Sequence, residues 1–246
     1  MGSDNLHDVR LFVDAPLEAG AAVACTPEQA NYLVNVLRLG AGAEILVFNG
    51  RDGEWRARLV ETGKRRCALQ SLTPTRPQQN GPDLHYVFAP LKHARLDYMV
   101  QKATELGVAH LQPVLTRRTV AARVNLERMR ANAIEAAEQC GVLRVPTVGE
   151  PMKLEMLLAR WEPQRRLIFC DEAAEVASPL AALATIKAGP VAVLIGPEGG
   201  FDPAERTSLR EKPYASAISL GPRVMRADTA AVAALALVNA ALGDWR

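Results

Sequence analysis

The feature that most constrains the fold is a set of short apolar runs in the second half of the chain. Residues 167–170 and Val191–Ile195 are wholly apolar, and residues 217–220 contain Ser219 as their only polar residue. Runs of this kind are typical of parallel strands whose two faces are both covered. Because helical segments alternate with them, the sequence predicts an α/β domain with a mainly parallel sheet over residues 84–246.

The first 74 residues have a different pattern. Short segments with strand-like composition, such as Glu44–Phe48, are separated by turn dipeptides. A single helix interrupts them, with Thr26 as its expected cap and Pro27 in its first turn. Several short strands and one helix predict a small β-barrel over residues 1–74. Residues 75–83 are rich in proline and glutamine, which predicts a linker.

A glycine-rich loop follows the apolar run Val191–Ile195. Its sequence, Gly-Pro-Glu-Gly-Gly-Phe, occupies residues 196–201, and Asp202 and Glu205 then have the spacing of a helix capping box. Ligands of open α/β sheets bind at the carboxyl ends of strands, where glycines let the backbone approach them. The loop is therefore a candidate ligand site, although Gly-Gly alone is more typical of a tight turn.

A second loop follows the run at residues 217–220. Gly221 opens it, and Arg223 and Arg226 lie three residues apart before a long Ala-, Val- and Leu-rich helix at about residues 229–242. Two arginines beside a glycine turn at a strand end are suited to contact an anion or an RNA phosphate. The helix is apolar around nearly its whole circumference, which predicts burial in a core or an interface.

Composition and spacing exclude several classes of protein. The 29 basic and 27 acidic residues give a net charge of +2, so an RNA-binding surface must be a local patch. The four cysteines form no C-x-x-C pair and the four histidines no H-x-x-x-H pair, which predicts reduced thiols and no metal site. No apolar run approaches the roughly 18–20 residues of a membrane span, and the first ten residues lack the apolar segment of a secretory signal. We therefore expect a cytoplasmic protein with no membrane partner.

The two loops resemble the cofactor loops of SPOUT-superfamily RNA methyltransferases, and within that superfamily the chain resembles the RsmE family. The loop segments are LIGPEGGF at residues 194–201 and LGPRVMRADTA at residues 220–230. The resemblance extends over nearly the whole chain in the same order. Further matching segments are residues 35–38 and 44–50, similar to the family's N-terminal PUA-like barrel, and residues 101–108 and 134–141, similar to its central part.

This resemblance implies transfer of a methyl group from S-adenosylmethionine (SAM) to N3 of one uridine in small-subunit (16S) ribosomal RNA. It also implies a SPOUT domain tied in a trefoil knot, and a homodimer whose substrate is 16S rRNA or the small ribosomal subunit. General topology rules argue against a knot, so that expectation rests on the resemblance alone. Two alternatives remain at this point: another SPOUT methyltransferase that modifies tRNA or a ribose 2′-hydroxyl, and a non-catalytic RNA-binding assembly factor.

The candidate cofactor contacts combine apolar side chains for the adenine with glycines for close access. They are Leu194, Ile195, Gly196, Glu198, Gly199, Gly200, Leu220, Gly221, Val224, Met225, Thr229 and Ala230.

The candidate catalytic residues follow from the chemistry of uridine. Its N3 carries a proton and attacks well only as the anion, so Arg226 is the first candidate for stabilising negative charge. Glu198 and Asp228 are candidates for accepting the proton or binding the SAM amino group; a purely structural Glu198 is nearly as well supported. The chain departs from the family pattern at Ala227, where a threonine is usual, so a role for a hydroxyl there is absent.

N3 lies on the Watson–Crick edge, so the target uridine must be unpaired or flipped out. Basic residues in the first domain and around the later loops are candidates for contacts to RNA phosphates. Taken singly, each is better explained as a solvated surface residue, and it is the clusters that favour RNA contact. The candidates are Arg10, Arg38, Lys64, Arg65, Arg66, Arg117, Arg118, Arg123 and Arg223.

Overall fold

The computed structural model describes residues 9–63, 66–92, 94–120, 123–174 and 178–245. These residues form two compact units. Unit 1 contains the residues up to Asn80 together with Ala137–Arg144, and unit 2 contains Gly81–Ala136 and the residues from Val145 onward. Within the described ranges, every helix is too short or too polar to traverse a lipid bilayer.

Unit 1 is built on a mixed five-stranded sheet with the strand order β1-β3-β4-β5-β2. The strands are β1 (Arg10–Phe12), β2 (Ala22–Ala24), β3 (Glu44–Phe48), β4 (Glu54–Gly63) and β5 (Arg66–Arg76). β1 pairs in parallel with β3, and the other neighbours pair antiparallel. Inward side chains such as Ile45, Val47, Leu59 and Leu69 form its core. The structure differs from the sequence prediction at Arg76, where β5 runs two residues into the expected linker.

The predicted helix of unit 1 is confirmed, with one departure in its second half. α1 (Pro27–Ala30) is capped by Thr26, whose hydroxyl accepts from the Gln29 N–H while the Gln29 side chain accepts from the Thr26 N–H. The chain then continues as a π-helical segment over Asn31–Val36, and Arg38 adopts a φ of 57°. Both π-helical turns and left-handed non-glycine residues are uncommon and concentrate at functional sites.

A buried ion-pair cluster joins β1, β4 and β5. The Glu54 carboxylate, only 3% exposed, accepts hydrogen bonds from Arg10 Nε at 2.8 Å and from Arg76 Nη2 at 2.7 Å. Burial raises the pKa of Glu54, but the hydrogen bonds and positive charges of Arg76 and Arg10 outweigh it and leave the pKa below its ordinary value. The carboxylate is therefore ionised inside the unit at neutral pH.

These contacts correct the expectation for Arg10. Its guanidinium, 10% exposed, also donates to the carbonyl oxygens of Ala137 and Glu138, and it lies 4.6 Å from the centre of the Phe48 ring. Because its donors point at oxygens within unit 1, Arg10 does not offer them to an RNA phosphate. Sequence position alone could not reveal this, since Glu54 is 44 residues away.

Unit 2 is built on a sheet with the strand order β12-β10-β11-β6-β7-β8, with β9 paired to β7. The strands are β6 (Leu84–Phe88), β7 (His110–Leu115), β8 (Thr147–Val148), β9 (Met152–Lys153), β10 (Arg166–Cys170), β11 (Val191–Ile195) and β12 (Ala215–Ile218). Every pairing among these strands is parallel, as the apolar runs predicted. β12 ends two residues before the predicted limit, because Ser219 and Leu220 have left the sheet for the loop that follows.

Six helices begin in unit 2 in the described part of the chain: α2 (Ala94–Glu105), α3 (Leu126–Cys140), α4 (Leu154–Ala159), α5 (Pro179–Ala184), α6 (Pro203–Arg210) and α7 (Ala227–Leu242). The last four residues of α3 belong to unit 1. α7 begins two residues before its predicted start. One of its faces is buried in the unit 2 core through residues such as Ala234 and Val238. Buried Asn239 donates a hydrogen bond to the Leu106 carbonyl at 2.8 Å, which ties α7 to the end of α2.

We expect the substitution Glu54→Gln to destabilise unit 1 by about 3 kcal/mol at pH 7, because it leaves two arginines without their buried counter-charge. The folded pKa of Glu54 is lowered, so this contribution is present above the unfolded-state pKa of about 4.3 and is lost as the pH falls through the folded value. Urea unfolding at pH 7 and below pH 4 measures both effects.

The matched control is Glu44→Gln, which removes an exposed ion pair with Arg58 in the same sheet. Its expected cost is below about 1 kcal/mol. Equal costs for the two substitutions, or a Glu54→Gln effect that does not shrink in acid, would contradict a buried, ionised Glu54.

Candidate active site

Three loops of unit 2 meet at the carboxyl edge of the sheet. β10 lies between β11 and β12, and all three run in the same direction, so the segments that follow them emerge side by side. Together they line one cavity of about 480 Å³. Its walls are residues 170–172 after β10, residues 195–201 after β11, and residues 219–227 with Ala230 after β12. The two glycine-containing loops singled out in the sequence therefore share a single cavity.

The loop after β11 is held in shape by Phe201. This side chain is buried and meets the Phe169 ring edge-on, with the ring centres 6.1 Å apart. A Cβ atom at Gly196 would lie 3.0 Å from the Phe201 ring, so the backbone there passes closer to the aromatic ring than a larger residue allows. Asp202 then caps α6 with Glu205 in the predicted reciprocal arrangement.

Gly200 is the position in this loop that most strictly requires glycine. Its φ is +68°, and a Cβ atom would clash with Oε1 of Glu172. The same Glu172 oxygen accepts a hydrogen bond from Arg206 Nη2 at 2.8 Å, which limits its freedom to move aside. The loop after β11 and the loop after β10 are therefore in direct contact at Gly200.

The loop after β10 is a wall of the cavity that sequence reasoning missed. Its Asp171 carboxylate has no exposed surface and lies 2.9 Å from Arg206 Nε and 2.7 Å from Arg210 Nη2. It also accepts a hydrogen bond from the Ala173 N–H. The signal was present as an acidic residue directly after an apolar strand, but it includes no glycine, and its arginine partners lie on α6, 35 and 39 residues further along.

Cys170 opens this wall and behaves as a neutral thiol. Burial raises its pKa to about 12, so the reactive thiolate is scarce at physiological pH. The residue therefore contributes apolar surface to the cavity rather than a nucleophile.

A turn that follows β7 also supports the cavity. Arg118 Nη1 donates to the Gly199 carbonyl at 2.8 Å, and the aliphatic part of the Arg118 side chain lies against the Gly199 backbone. The Arg117 N–H donates to Glu205 at 2.8 Å, and its Nη1 donates to Asp202 at 3.0 Å. Two of the arginines predicted to contact RNA thus hold the loop after β11 in place.

The loop after β12 forms the open side of the cavity. Val224 is 90% exposed, and Arg223 and Arg226 are exposed as well. Ser219 Oγ accepts a hydrogen bond from the Gly221 N–H, which starts the turn directly after the strand. Arg226 is the N-cap residue of α7, and its exposed side chain lines the cavity.

The two predicted carboxylates take different positions. Glu198 lines the cavity and its side chain is 44% exposed, whereas Asp228 lies outside the lining and is 18% exposed. Arg95, in the first turn of α2, lies between them, with Nη1 3.8 Å from Glu198 Oε1 and Nε 4.0 Å from Asp228 Oδ2. Sequence analysis did not single out Arg95, because nothing in its local pattern distinguishes it from a surface arginine.

The other sequence candidates divide into those at the cavity and those away from it. Leu194 belongs to the buried core beneath the loop, and neither Leu194 nor Thr229 lines the cavity. Lys64 and Arg65 lie outside the described residues. No group of His, Cys, Asp and Glu suited to hold a metal ion occurs among the residues that the structure describes. Six of the arginines predicted to contact RNA are exposed, at positions 38, 66, 117, 118, 123 and 223.

Comparison with known protein families defines the class of protein to which this chain belongs. The RNA methyltransferase domain family matches residues 78–239, and the RNA methyltransferase PUA domain family matches residues 26–70. The structural neighbours are SPOUT-type methyltransferases, so the parallel sheet of unit 2 is a SPOUT domain and the mixed sheet of unit 1 is PUA-like. The expected fold class is thereby confirmed.

Curated relatives then give the family. The chain is 31% identical to ribosomal RNA small subunit methyltransferase E of Synechocystis over 95% of this chain and 78% of that protein. The namesake of Rickettsia conorii is 27% identical over 94% of each chain. The present chain belongs to the ribosomal RNA small subunit methyltransferase E family.

Two solved structures are similar over almost the entire chain. One is a ribosomal RNA small subunit methyltransferase E from Neisseria gonorrhoeae bound to SAM, with a TM-score of 0.87, 26% identity and coverage of 98% of this chain and 100% of that one. The other is a putative methyltransferase from Legionella pneumophila in complex with SAM, with a TM-score of 0.85, 27% identity and coverage of 97% and 99%.

We expect Gly200→Ala to destabilise the protein more than Gly107→Ala does. Both glycines have a positive φ, +68° and +73°, but a Cβ at Gly107 meets nothing within 4 Å. Gly107→Ala thus measures the backbone strain alone, about 1 kcal/mol, whereas Gly200→Ala adds the clash with Glu172. Urea unfolding gives the difference, and in a Glu172→Ala background the further cost of Gly200→Ala should fall to the Gly107→Ala value. Equal single-variant costs would show that the Glu172 contact is unimportant.

Proposed function

We propose that this chain transfers a methyl group from SAM to N3 of a specific uridine in small-subunit (16S) ribosomal RNA. The observation that carries the proposal is the single cavity formed by the loops after β10, β11 and β12. It lies at the carboxyl edge of a parallel sheet, where ligands of such folds bind. The two SAM-bound relatives share this fold over nearly their whole length.

The residues of the cavity fit SAM. Its volume of about 480 Å³ is in the range of small-molecule sites. Ile195, Leu220 and Met225 supply apolar surface for an adenine ring, and the backbone at Gly196 and Gly221 supplies close polar contacts. When bound there, SAM supplies an electrophilic methyl group carried by a sulfonium sulfur.

Arg226 and Glu198 are suited to prepare the uridine. The proton on N3 must leave before the nitrogen lone pair can form the new bond, and Glu198 presents a carboxylate at the cavity that accepts it and passes it to solvent. The negative charge left on the uracil ring spreads to its carbonyl oxygens, where the Arg226 guanidinium stabilises it. Arg95 Nη1 lies 3.8 Å from Glu198 Oε1 and helps to orient the Glu198 carboxylate at the cavity.

Exposed arginines are suited to grip the surrounding RNA. In unit 1 these are Arg38, which follows the π-helical segment, and Arg66 at the start of β5. In unit 2 they are Arg123 and Arg223, joined by Arg117 and Arg118 where these keep donors free of the loop after β11. The PUA-like unit and the SPOUT unit would thus both contact an unpaired stretch of rRNA.

The domain roles, the assembly and the compartment complete the proposal. Residues 1–74 act as the RNA-binding domain and residues 84–246 as the methyltransferase domain, with residues 75–83 as the connection. Unit 2 is knotted, and two copies form a homodimer in the cytoplasm. The open side of the cavity around exposed Val224 supports the homodimer, because a second copy would cover it.

We expect Arg226→Ala to lower the rate of methyl transfer about 100- to 1,000-fold, because it removes the positive charge that stabilises the uracil anion in the transition state. SAM affinity should stay within a few-fold of wild type. Calorimetry measures SAM binding, and labelled methyl incorporation into 16S rRNA or small subunits measures the rate. The matched control is Arg130→Ala, an exposed arginine on α3 away from the cavity lining.

The same variants test the proposal in cells. A strain that lacks this gene should lose one N3-methyluridine from its small-subunit rRNA, and wild type and Arg130→Ala should restore it while Arg226→Ala should not. Absence of SAM binding by the purified protein, or an unchanged methylation map in the deletion strain, would refute the proposed function.

The substitutions Glu198→Gln and Asp228→Asn test which of the two carboxylates accepts the N3 proton. If Glu198 takes the proton, its amide should lower the rate about 100-fold or more, whereas Asp228→Asn, which changes a group outside the cavity, should cost less than tenfold. Single-turnover rates with saturating SAM and RNA provide the comparison. A larger loss with Asp228→Asn would assign the proton to Asp228 instead.

A further inference from the structure

A second cavity opens on the same edge of the unit 2 sheet. It has a volume of about 550 Å³ and lies where β7 and β9 end, at Leu115 and Lys153. β7 is two strands away from β11, across β6. At about 4.8 Å per strand, the two strand ends are roughly 10 Å apart along the edge. Of the residues that line it, only Arg117 and Glu205 have a role described above.

The two cavities share a wall. α6 lines the second cavity through Ala204, Glu205 and Ser208, while the loop just before α6 lines the first. The turn after β7 is fixed on this shared wall by the bonds from Arg117 and Arg118 described above. The turn is also closed on itself, because the Thr116 N–H donates to Thr119 Oγ1 at 2.9 Å. The second cavity is therefore bounded by preformed backbone.

Its lining combines an apolar floor with a rim that carries two cations, Arg117 and Lys153, and two carboxylates, Glu155 and Glu205. Leu115, Leu154 and Leu158 supply apolar surface, and the Thr116 and Ser208 side chains supply hydroxyl groups. Arg117 and Lys153 stand at the rim with 64% and 68% of their side chains exposed. An apolar surface flanked by hydroxyls and cations matches a nucleotide, whose base is flat and whose phosphate is anionic.

The two carboxylates of the lining leave Lys153 and Arg117 able to contact one phosphate. Both Glu205 oxygens are engaged by the N–H groups of Arg117 and Asp202, so this carboxylate is compensated within the fold. The Lys153 ammonium lies 3.8 Å from the exposed Glu155 carboxylate, a pair weak enough for a phosphate to replace. Asp202 takes one of the five donors of the Arg117 guanidinium, which leaves others for the same phosphate.

We propose that this second cavity binds an unpaired nucleotide of the RNA substrate, close in sequence to the uridine held at the first cavity. The base lies on the leucine floor and its phosphate contacts Lys153 and Arg117. The proposal rests on the proposed function, since it places the flanking RNA of that same reaction. The turn after β7 then has two roles: it holds the loop after β11 in place and it binds the RNA strand.

The probe is a fluorescein-labelled single-stranded RNA fragment that spans the methylated uridine, with binding followed by anisotropy in the presence of SAM. Lys153→Ala should weaken binding about 3- to 10-fold and reduce the slope of log K against log salt by about 0.7, the signature of one lost phosphate contact on a single strand. Lys187→Ala, an exposed lysine that does not line either cavity, is the matched control and should change neither quantity.

A second variant, Ser208→Trp, fills the cavity without changing charge. An RNA with an abasic site at the bound position should bind wild type about tenfold more weakly than the intact RNA, and the same abasic site should have little effect on Ser208→Trp. SAM affinity and the unfolding midpoint of each variant serve as checks on folding.

The proposal would be overturned if Lys153→Ala and Ser208→Trp both bound the RNA as tightly as wild type does. It would also be overturned if a scan of abasic sites weakened binding to wild type and to Ser208→Trp equally. If wild type still methylates the RNA in that case, the cavity assignment fails and the proposed function stands. If wild type binds RNA through this cavity but transfers no methyl group, the proposed function fails and the binding site stands.

Discussion

Parallel pairing of β10 with both of its neighbours is the constraint on which the rest of unit 2 depends. Backbone hydrogen bonds to β11 on one side and β12 on the other fix three strand ends at one edge. The loops after these strands are far apart in sequence, at residues 170–172, 195–201 and 219–227, yet they line one cavity because the strands share a direction. Reversal of any one strand would move its loop to the opposite edge and open the cavity.

Arginines take the place of covalent or metal links in bracing these loops. Arg206 and Arg210 lie on one face of α6 and clamp the buried Asp171, while Arg118 reaches the Gly199 carbonyl. Planar guanidinium groups suit this task because several fixed donors can meet carboxylate and carbonyl oxygens at once. Glycine-rich loops have high conformational entropy when free, so these contacts preorganise a surface that would otherwise fluctuate. Because the cavity is preformed, less binding free energy is spent on ordering its loops when a ligand binds.

Local pattern predicted the strands and the glycine-containing loops around the first cavity but not β8, β9, α4 or α5. Non-local contacts account for the site residues that it missed. Val191–Ile195 was predicted to the residue because a five-residue apolar run between Pro190 and Gly196 is too short for a typical helix and fits a buried strand. β12 was misplaced by two residues because apolarity does not distinguish a strand from the loop wall that follows it. Asp171, Arg95 and Arg10 owe their roles to partners 35 to 133 residues away in the chain, and no periodicity reports such pairings.

The contact between Gly200 and Glu172 links two positions that lie on different loops. A side chain at position 200 must tolerate a left-handed backbone and must also find the space that the Glu172 carboxylate now fills. Among non-glycine residues, asparagine and aspartate adopt that backbone most readily. Homologues in which position 200 has become asparagine should therefore carry a shortened residue at position 172, so that the two sites vary together through evolution rather than independently.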